Sequence, residues 1–188
     1  MNLQEVRKLI ESSPDYDVRI LKTEFLPELL KIEFSVDNID NSDAKKFELK
    51  VYGIVNYHIT ENYDESSQFY IEEDHPLLWQ YTDTQCELYV TGSADSFKEL
   101  FFDLLSIHFS LFESYIPFNP ASAIVLEKGF GLFQRGSKKL LKIYAEKLQS
   151  YGIQTSIVEN YTKESKLAVL FLGNSYFIAE SFDFKSLN

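Results

Sequence analysis

The apolar positions between residues 93 and 114 recur with the period of an α-helix, and they form the longest such stretch of the sequence. Residues three and four positions apart share a helix face, so the pattern separates a polar side from an apolar one. The polar side carries Glu99, Asp103, Ser106, Ser110 and Glu113. The apolar arc is far wider than the roughly 100° stripe of a surface helix. We therefore predict one long, largely buried helix as the main hydrophobic contributor to the fold.

Alternation of apolar and polar residues predicts strands on both sides of this helix. They cover residues 18–25, 29–36, 47–59 and 87–91 before it, and 153–158, 167–172 and 176–184 after it. A shorter helix is predicted over residues 138–151, because Ser137 suits its N-cap and Gly152 its end. Strands and helices are grouped and do not alternate as in βαβ units. The sequence therefore predicts one α+β domain over residues 1–188, with a mainly antiparallel sheet packed on the long helix and the shorter one.

Four further segments have less regular patterns. Residues 2–12 predict a short helix, and residues 37–43 predict a polar hairpin loop. Residues 121–127 fit either a short helix or a strand, and residues 128–136, punctuated by glycines, predict a loop. None of these assignments changes the predicted fold class.

Composition supports a packed domain. Apolar residues make up 45% of the 188 positions and aromatic residues 15%, which excludes a disordered chain. No apolar run approaches the roughly 20 residues of a membrane span, and the first residues lack the features of a signal peptide. The single Cys86 provides neither an internal disulfide nor a pair of metal ligands. We therefore expect a cytoplasmic protein with no metal, no cofactor and no membrane partner.

The net charge of −11 is distributed unevenly along the chain. Residues 1–127 hold 24 acidic and 9 basic side chains, whereas residues 128–188 hold 5 acidic and 9 basic ones. This acidity argues against nucleic acid as a partner, because binding to phosphates requires a basic surface. It favours association with a basic protein, and the alternative is that the charge serves solubility alone.

Histidine chemistry has little support as a source of catalysis. His108 lies in the middle of the apolar arc of the predicted long helix, where a buried imidazole needs a hydrogen-bond partner. A structural histidine with satisfied hydrogen bonds is therefore favoured over a poised base. Neither His75 nor His108 has a Ser, Cys or His at the spacing of a known catalytic motif, and no paired metal motif occurs. The sequence names no catalytic or metal-binding residue and favours a protein that is not an enzyme.

An anion-binding site is the alternative that would make this protein an enzyme acting on a small molecule or a phosphate. The glycines of residues 131–138 have the spacing of a phosphate-binding loop, although Ser137 stands where the lysine should follow the second glycine. The candidate residues are Arg135, Gly136, Ser137 and Lys138. Two lysines in the first turn of the following helix oppose its dipole, so a carboxylate or a partner nearby would explain them.

A protein-binding site is predicted where acidic residues precede the only tryptophan of the chain. Its candidate residues are Glu72, Glu73, Asp74, Trp79 and Asp83. A charged rim around an aromatic anchor is common at binding hot spots. The alternative is that Trp79 belongs to the core and that the acidic residues form a solvated loop.

One set of motifs resembles a known group of proteins. It comprises residues 75–79 (HPLLW), residues 88–90 with Gly92, the long helix, residues 116–119 (IPFN), and the glycine segment with the shorter helix after it. Over residues 74–152 this pattern is similar to that of small acidic bacterial proteins encoded near polymorphic toxins. The resemblance implies an immunity-type or accessory protein that acts by occlusion.

The leading hypothesis is therefore a non-enzymatic cytoplasmic binding protein, in its specific form an immunity protein that neutralises a basic toxin. A structural subunit of an oligomer is a third hypothesis, and the sequence does not define the oligomeric state.

Overall fold

A computed structural model describes residues 6, 8, 16–38, 41–60, 69–119, 121–162 and 165–187. The chain divides into two compact units, unit 1 with Met1–Asp74 and Lys166–Asn188, and unit 2 with His75–Ser165. The described residues form three antiparallel sheets and four α-helices, so the α+β class is confirmed. Most elements are strands, however, and the predicted arrangement of one sheet on one dominant helix is wrong. Whether the two units constitute the predicted single domain stays a prediction.

The first sheet of unit 1 has the order β1-β2-β3-β11, and all its neighbours are antiparallel. Its strands are β1 (Tyr16–Phe25), β2 (Leu29–Asn38), β3 (Asn41–Tyr52) and β11 (Ser181–Ser186). The predicted strands 18–25 and 29–36 are confirmed as parts of β1 and β2. The hairpin predicted over residues 37–43 connects β2 to β3, and residues 39–40 lie outside the described part, as do nearly all residues of the helix predicted over 2–12.

The second sheet of unit 1 has the order β4-β10-β9-β5. Its strands are β4 (Asn56–His58), β5 (Phe69–Glu72), β9 (Ala168–Leu172) and β10 (Ser175–Ala179). Alternating side chains of both sheets form the core of unit 1, with Leu30, Ile32, Phe34, Phe47, Leu49 and Phe177 among its fully buried members. Each large apolar side chain buried in this way stabilises the unit by about 1.5–3 kcal/mol.

Each of two strands predicted for unit 1 is interrupted at one residue. The strand predicted over residues 47–59 is interrupted at Gly53, whose φ of +61° lies in the left-handed region. The strand predicted over residues 176–184 is interrupted at Glu180, whose backbone N–H donates to the carbonyl of Tyr52. Each prediction therefore merged two strands, because apolar alternation continues through a point where the chain passes from one sheet to the other.

Unit 2 contains the third sheet, of order β7-β6-β8, and the helices. Its strands are β6 (Thr84–Thr91), β7 (Phe130–Ser137) and β8 (Gln154–Thr162). Its helices are α1 (Trp79–Thr82), which follows a 3₁₀ turn at Pro76–Leu78, then α2 (Phe97–Phe112), α3 (Ala121–Lys128) and α4 (Lys138–Ser150). Within the described ranges, none of the helices is long and apolar enough to cross a membrane.

The long helix α2 is shorter and more exposed than predicted. It begins at Phe97 and buries only a stripe of residues spaced four apart, namely Leu100, Leu104, His108 and Phe112. Phe102 is 65% exposed and Phe109 is 57% exposed. The prediction of a largely buried helix over residues 93–114 is therefore wrong, because neighbouring elements cover one stripe of its apolar arc and leave the rest at the surface.

The segment before α4 corrects a second prediction. Residues 130–137 form strand β7 and pair with β6, although the glycines predicted a loop over 128–136. The ambiguous residues 121–127 form α3. The shorter helix itself is confirmed as α4, since the Ser137 hydroxyl accepts the backbone N–H of Leu140 and Gly152 follows with φ +79°.

Candidate protein-binding surface

The sheet of unit 2 has one buried and one solvent-facing side. In β6 the side chains of Cys86, Leu88 and Val90 are buried, while Tyr89 and Thr91 are exposed. Successive side chains of a strand point to opposite faces, so the buried set packs beneath the helices and the other set faces solvent. We call the solvent-facing side the outer sheet face.

Large apolar side chains are concentrated on the outer sheet face. Tyr89 is 38% exposed, Val158 46%, Tyr161 57% and Phe130 68%. The strand register places these side chains in neighbouring rows of the same sheet. Tyr89 lies between Leu132 of β7 and Ser156 of β8, and Phe130 is opposite Thr91. Clustered exposed apolar groups of this kind typically mark interaction sites.

A polar network occupies the centre of the outer sheet face. Arg135, Glu87 and Val158 form one row across the three strands. Nε of Arg135 donates to Oε1 of Glu87 at 2.8 Å, and the hydroxyl of Tyr89 donates to Oε2 at 2.6 Å. One carboxylate thus holds a guanidinium and a phenol in fixed positions.

The ionisation of this network follows from the same contacts. The hydrogen bond from Tyr89 and, to a smaller degree, the one from Arg135 lower the pKa of Glu87. The hydrogen bond to Glu87 raises the pKa of Tyr89. Glu87 is therefore an anion and Tyr89 a neutral donor near neutral pH. The side chain of Arg135 remains 72% exposed, so its terminal nitrogens are accessible to a carboxylate of a partner.

Sequence reasoning found Arg135 but missed the rest of this surface. The alternation in residues 84–91 and 154–162 contains the necessary information, since the polar positions of β6 identify the face to which Tyr89 belongs. Phe130 was missed because its segment was read as a loop.

The predicted acidic and aromatic site is distributed over both units. Glu72, Glu73 and Asp74 are exposed and belong to unit 1, whereas Trp79 and Asp83 belong to unit 2. The ring of Trp79 packs edge-on against Phe112 at 6.5 Å and lies 5.6 Å below Nζ of Lys139. Oδ2 of Asp83 accepts the backbone N–H of Lys139 at 2.8 Å, and Oδ1 accepts that of Thr84. Trp79 and Asp83 thus have structural contacts, and the binding role of the five residues stays a prediction.

Both basic residues of the anion-binding alternative contact carboxylates of the chain itself. Arg135 contacts Glu87, and Lys138 forms an ion pair with Glu159 that raises the pKa of the lysine. The first turn of α4 receives the carboxylate of Asp83. This contact supplies the negative charge expected near the two lysines. Gly136 lies within β7 opposite Cys86, and the Ser137 hydroxyl caps α4.

His108 is the most buried of the three histidines and has two hydrogen bonds. Its exposed fraction is 5%, Nδ1 lies 2.5 Å from the hydroxyl of Tyr144, and Nε2 lies 2.7 Å from the carbonyl oxygen of Ile116. A carbonyl only accepts, so Nε2 carries the proton and Nδ1 accepts from Tyr144. Burial lowers the pKa of His108, which keeps the imidazole neutral. The prediction that His108 is buried with satisfied hydrogen bonds is confirmed.

Unit 1 contains a groove of about 480 Å³ along β1. It is lined by residues 17–23, 59–60 and 172–175. Its two cations already contact carboxylates, since Arg19 lies 3.5 Å from Asp17 and 3.9 Å from Asp37, and Lys22 lies 3.8 Å from Glu24. Both basic side chains of the groove therefore lie next to carboxylates.

The described residues contain no group of three or more His, Cys, Asp or Glu side chains that could hold a metal ion. No protein-family model matches this chain, and comparisons with curated proteins and with solved structures gave no match either.

Proposed function

We propose that this protein acts in the cytoplasm by binding another protein, without catalysis, and that the outer sheet face of unit 2 contacts the partner. The observation that carries this proposal is the cluster of exposed Tyr89, Phe130, Val158 and Tyr161 around the Arg135–Glu87 pair. Aromatic residues and arginine are enriched at binding hot spots, where they supply most of the affinity. Burying the side chain of Phe130 alone would contribute about 1.5–3 kcal/mol.

The charge of the two units supports a basic partner. Unit 1 holds 19 acidic and 10 basic side chains, a net charge of −9, whereas unit 2 holds 10 and 8, a net charge of −2. An acidic unit in the same chain as a nearly neutral binding surface would raise the association rate of a basic protein through electrostatic steering. The resemblance of residues 74–152 to immunity-type proteins makes a toxin neutralised by occlusion the specific form of this proposal.

The anion-handling enzyme has less support than the binding protein. The side chains of Arg135 and Lys138 contact carboxylates, and the backbone N–H of Lys139 is bound by Asp83. A phosphate at this position would have to displace these groups.

The proposal is tested by pull-down of the purified protein with the products of the genes adjacent to its own, followed by titration of any partner found. Phe130→Asp should weaken that partner's binding at least about tenfold, because it places a charge in an apolar contact. Phe102→Asp is the matched control, since Phe102 is equally exposed but lies on α2. A lack of binding at micromolar concentration, or equal binding by the Phe130→Asp variant, would contradict the proposal.

A further inference from the structure

Strand β8 is an edge strand with little protection against pairing. Within the described part of the chain, eight of its nine residues pair with β6 on one side, and no strand pairs with it on the other. Natural edge strands are usually short, or carry charges or proline that discourage another strand from adding. The segment of β8 includes Thr155, Ile157 and Val158, which favour β structure, and contains no proline.

The only charge of β8 is already neutralised. Glu159 forms an ion pair with Lys138 of the same unit. The register shift opposite Gln85 and Cys86 lies beyond Glu159, so residues 154–159 form a regular ladder with β6. This six-residue edge is nearly uncharged, its residues 154, 156, 158 and 159 are exposed, and Val158 is exposed by 46%. Such an edge is a template for a further strand.

We propose that the free edge of β8 pairs with β8 of a second copy of this chain, antiparallel and about a twofold axis. Side chains on the same face must be opposite each other in such a pair, and a closed twofold contact uses the same surface twice. A register centred on Ser156 fulfils this condition and keeps Glu159 away from Glu159 of the other copy. Residues 154–158, which form the pairing segment, carry no charge, so no like charges lie opposite each other across the seam, and unit 2 carries only −2 of the chain's net charge of −11.

The result is a continuous six-stranded sheet in which the two outer sheet faces adjoin. Ser156 and Val158 point to that face. In the register centred on Ser156, Ser156 lies opposite its counterpart across the seam and Val158 lies opposite Gln154. The dimer presents two copies of the surface proposed to bind a partner, and its formation does not depend on that partner.

Light scattering during size-exclusion chromatography tests the pairing directly. The expected mass rises with concentration from 21.9 kDa to twice that value. A double variant, S156K/V158K, should remain monomeric, because it brings like charges together across the seam. Phe102→Lys, an exposed position on α2, should dimerise like the parent, and so should Phe130→Asp on the opposite edge strand β7.

A cross-linking measurement tests the pairing even if the S156K/V158K variant does not fold. Ser156→Cys should form a covalent dimer under mild oxidation, while Phe102→Cys should form no covalent dimer, with circular dichroism of both variants unchanged. A mass of 21.9 kDa at every concentration, or a dimer that S156K/V158K leaves intact, would overturn the proposal. If the chain is monomeric and S156K/V158K abolishes binding of a partner protein, the edge belongs to that partner and the self-pairing is refuted.

Discussion

Tyr144 on α4 donates its hydroxyl proton to Nδ1 of His108 on α2, over 2.5 Å in the interior of unit 2. The other ring nitrogen of His108 donates to the carbonyl of Ile116, in the segment that follows α2. One imidazole thereby connects α2, the segment that follows it, and the more distant helix α4. The pair explains why a polar residue interrupts the buried stripe of α2, since both of its nitrogens have partners where water is excluded.

Replacing Tyr144 with Phe should destabilise unit 2 by about 1–3 kcal/mol, because Nδ1 of His108 then lacks its donor in a buried site. The free energy of unfolding from urea denaturation measures this change. Tyr161→Phe, at an exposed phenol, should change it by less than about 0.5 kcal/mol. An unchanged stability of the Tyr144→Phe variant would show that the hydrogen bond contributes nothing.

The stability of the protein should fall with pH below about 6.5 because of His108. Its folded-state pKa is lowered below the unfolded value of 6.5, so the unfolded chain binds more protons in that window. The contribution of the neutral imidazole is complete above pH 6.5 and is lost progressively as the pH falls toward the folded-state pKa. Denaturation curves between pH 8 and pH 5.5 should show the slope, and His108→Asn should reduce it. Equal slopes for both proteins would assign the pH dependence to other groups.

Asp83→Ala should lower the stability of unit 2 by about 0.5–2 kcal/mol, because the backbone N–H groups of Lys139 and Thr84 lose their acceptor. The negative charge beside the two lysines and the N-terminus of α4 is also lost. Thermal unfolding measures the effect. Glu146→Ala, on the exposed side of the same helix, is the matched control, and an equal loss of stability in both variants would remove the assigned role from Asp83.

Arg135→Ala should change the unfolding free energy by less than about 1 kcal/mol, because its contact with Glu87 is an exposed ion pair. The same change should weaken binding of the proposed partner several-fold, since the guanidinium lies in the centre of the outer sheet face. Titration calorimetry beside denaturation separates the two quantities. A large loss of stability with unaltered affinity would identify Arg135 as a structural residue.

The local sequence pattern predicted where helices and strands lie better than it predicted which of their side chains are buried. Helix α4 was predicted closely because Ser137 and Gly152 define its ends chemically. The exposure of Phe102 and Phe109 depends on which elements pack against α2. A helical wheel gives no information about those elements. Strand β7 was missed because glycines are unfavourable in strands, and pairing with β6 outweighs that local cost. The candidate surface depends on register between distant strands, so only Arg135 was found beforehand.

The strand β11 has a consequence for the order in which the chain becomes structured. It pairs with β3, so the sheet of unit 1 joins residues more than a hundred positions apart. Unit 2, in contrast, is one uninterrupted stretch. During synthesis, every residue of unit 2 leaves the ribosome before those of β9, β10 and β11, and domains fold as their residues emerge. Unit 2 can therefore complete its contacts first, while the apolar strands of unit 1 wait for the last residues and are the part most exposed to misassembly.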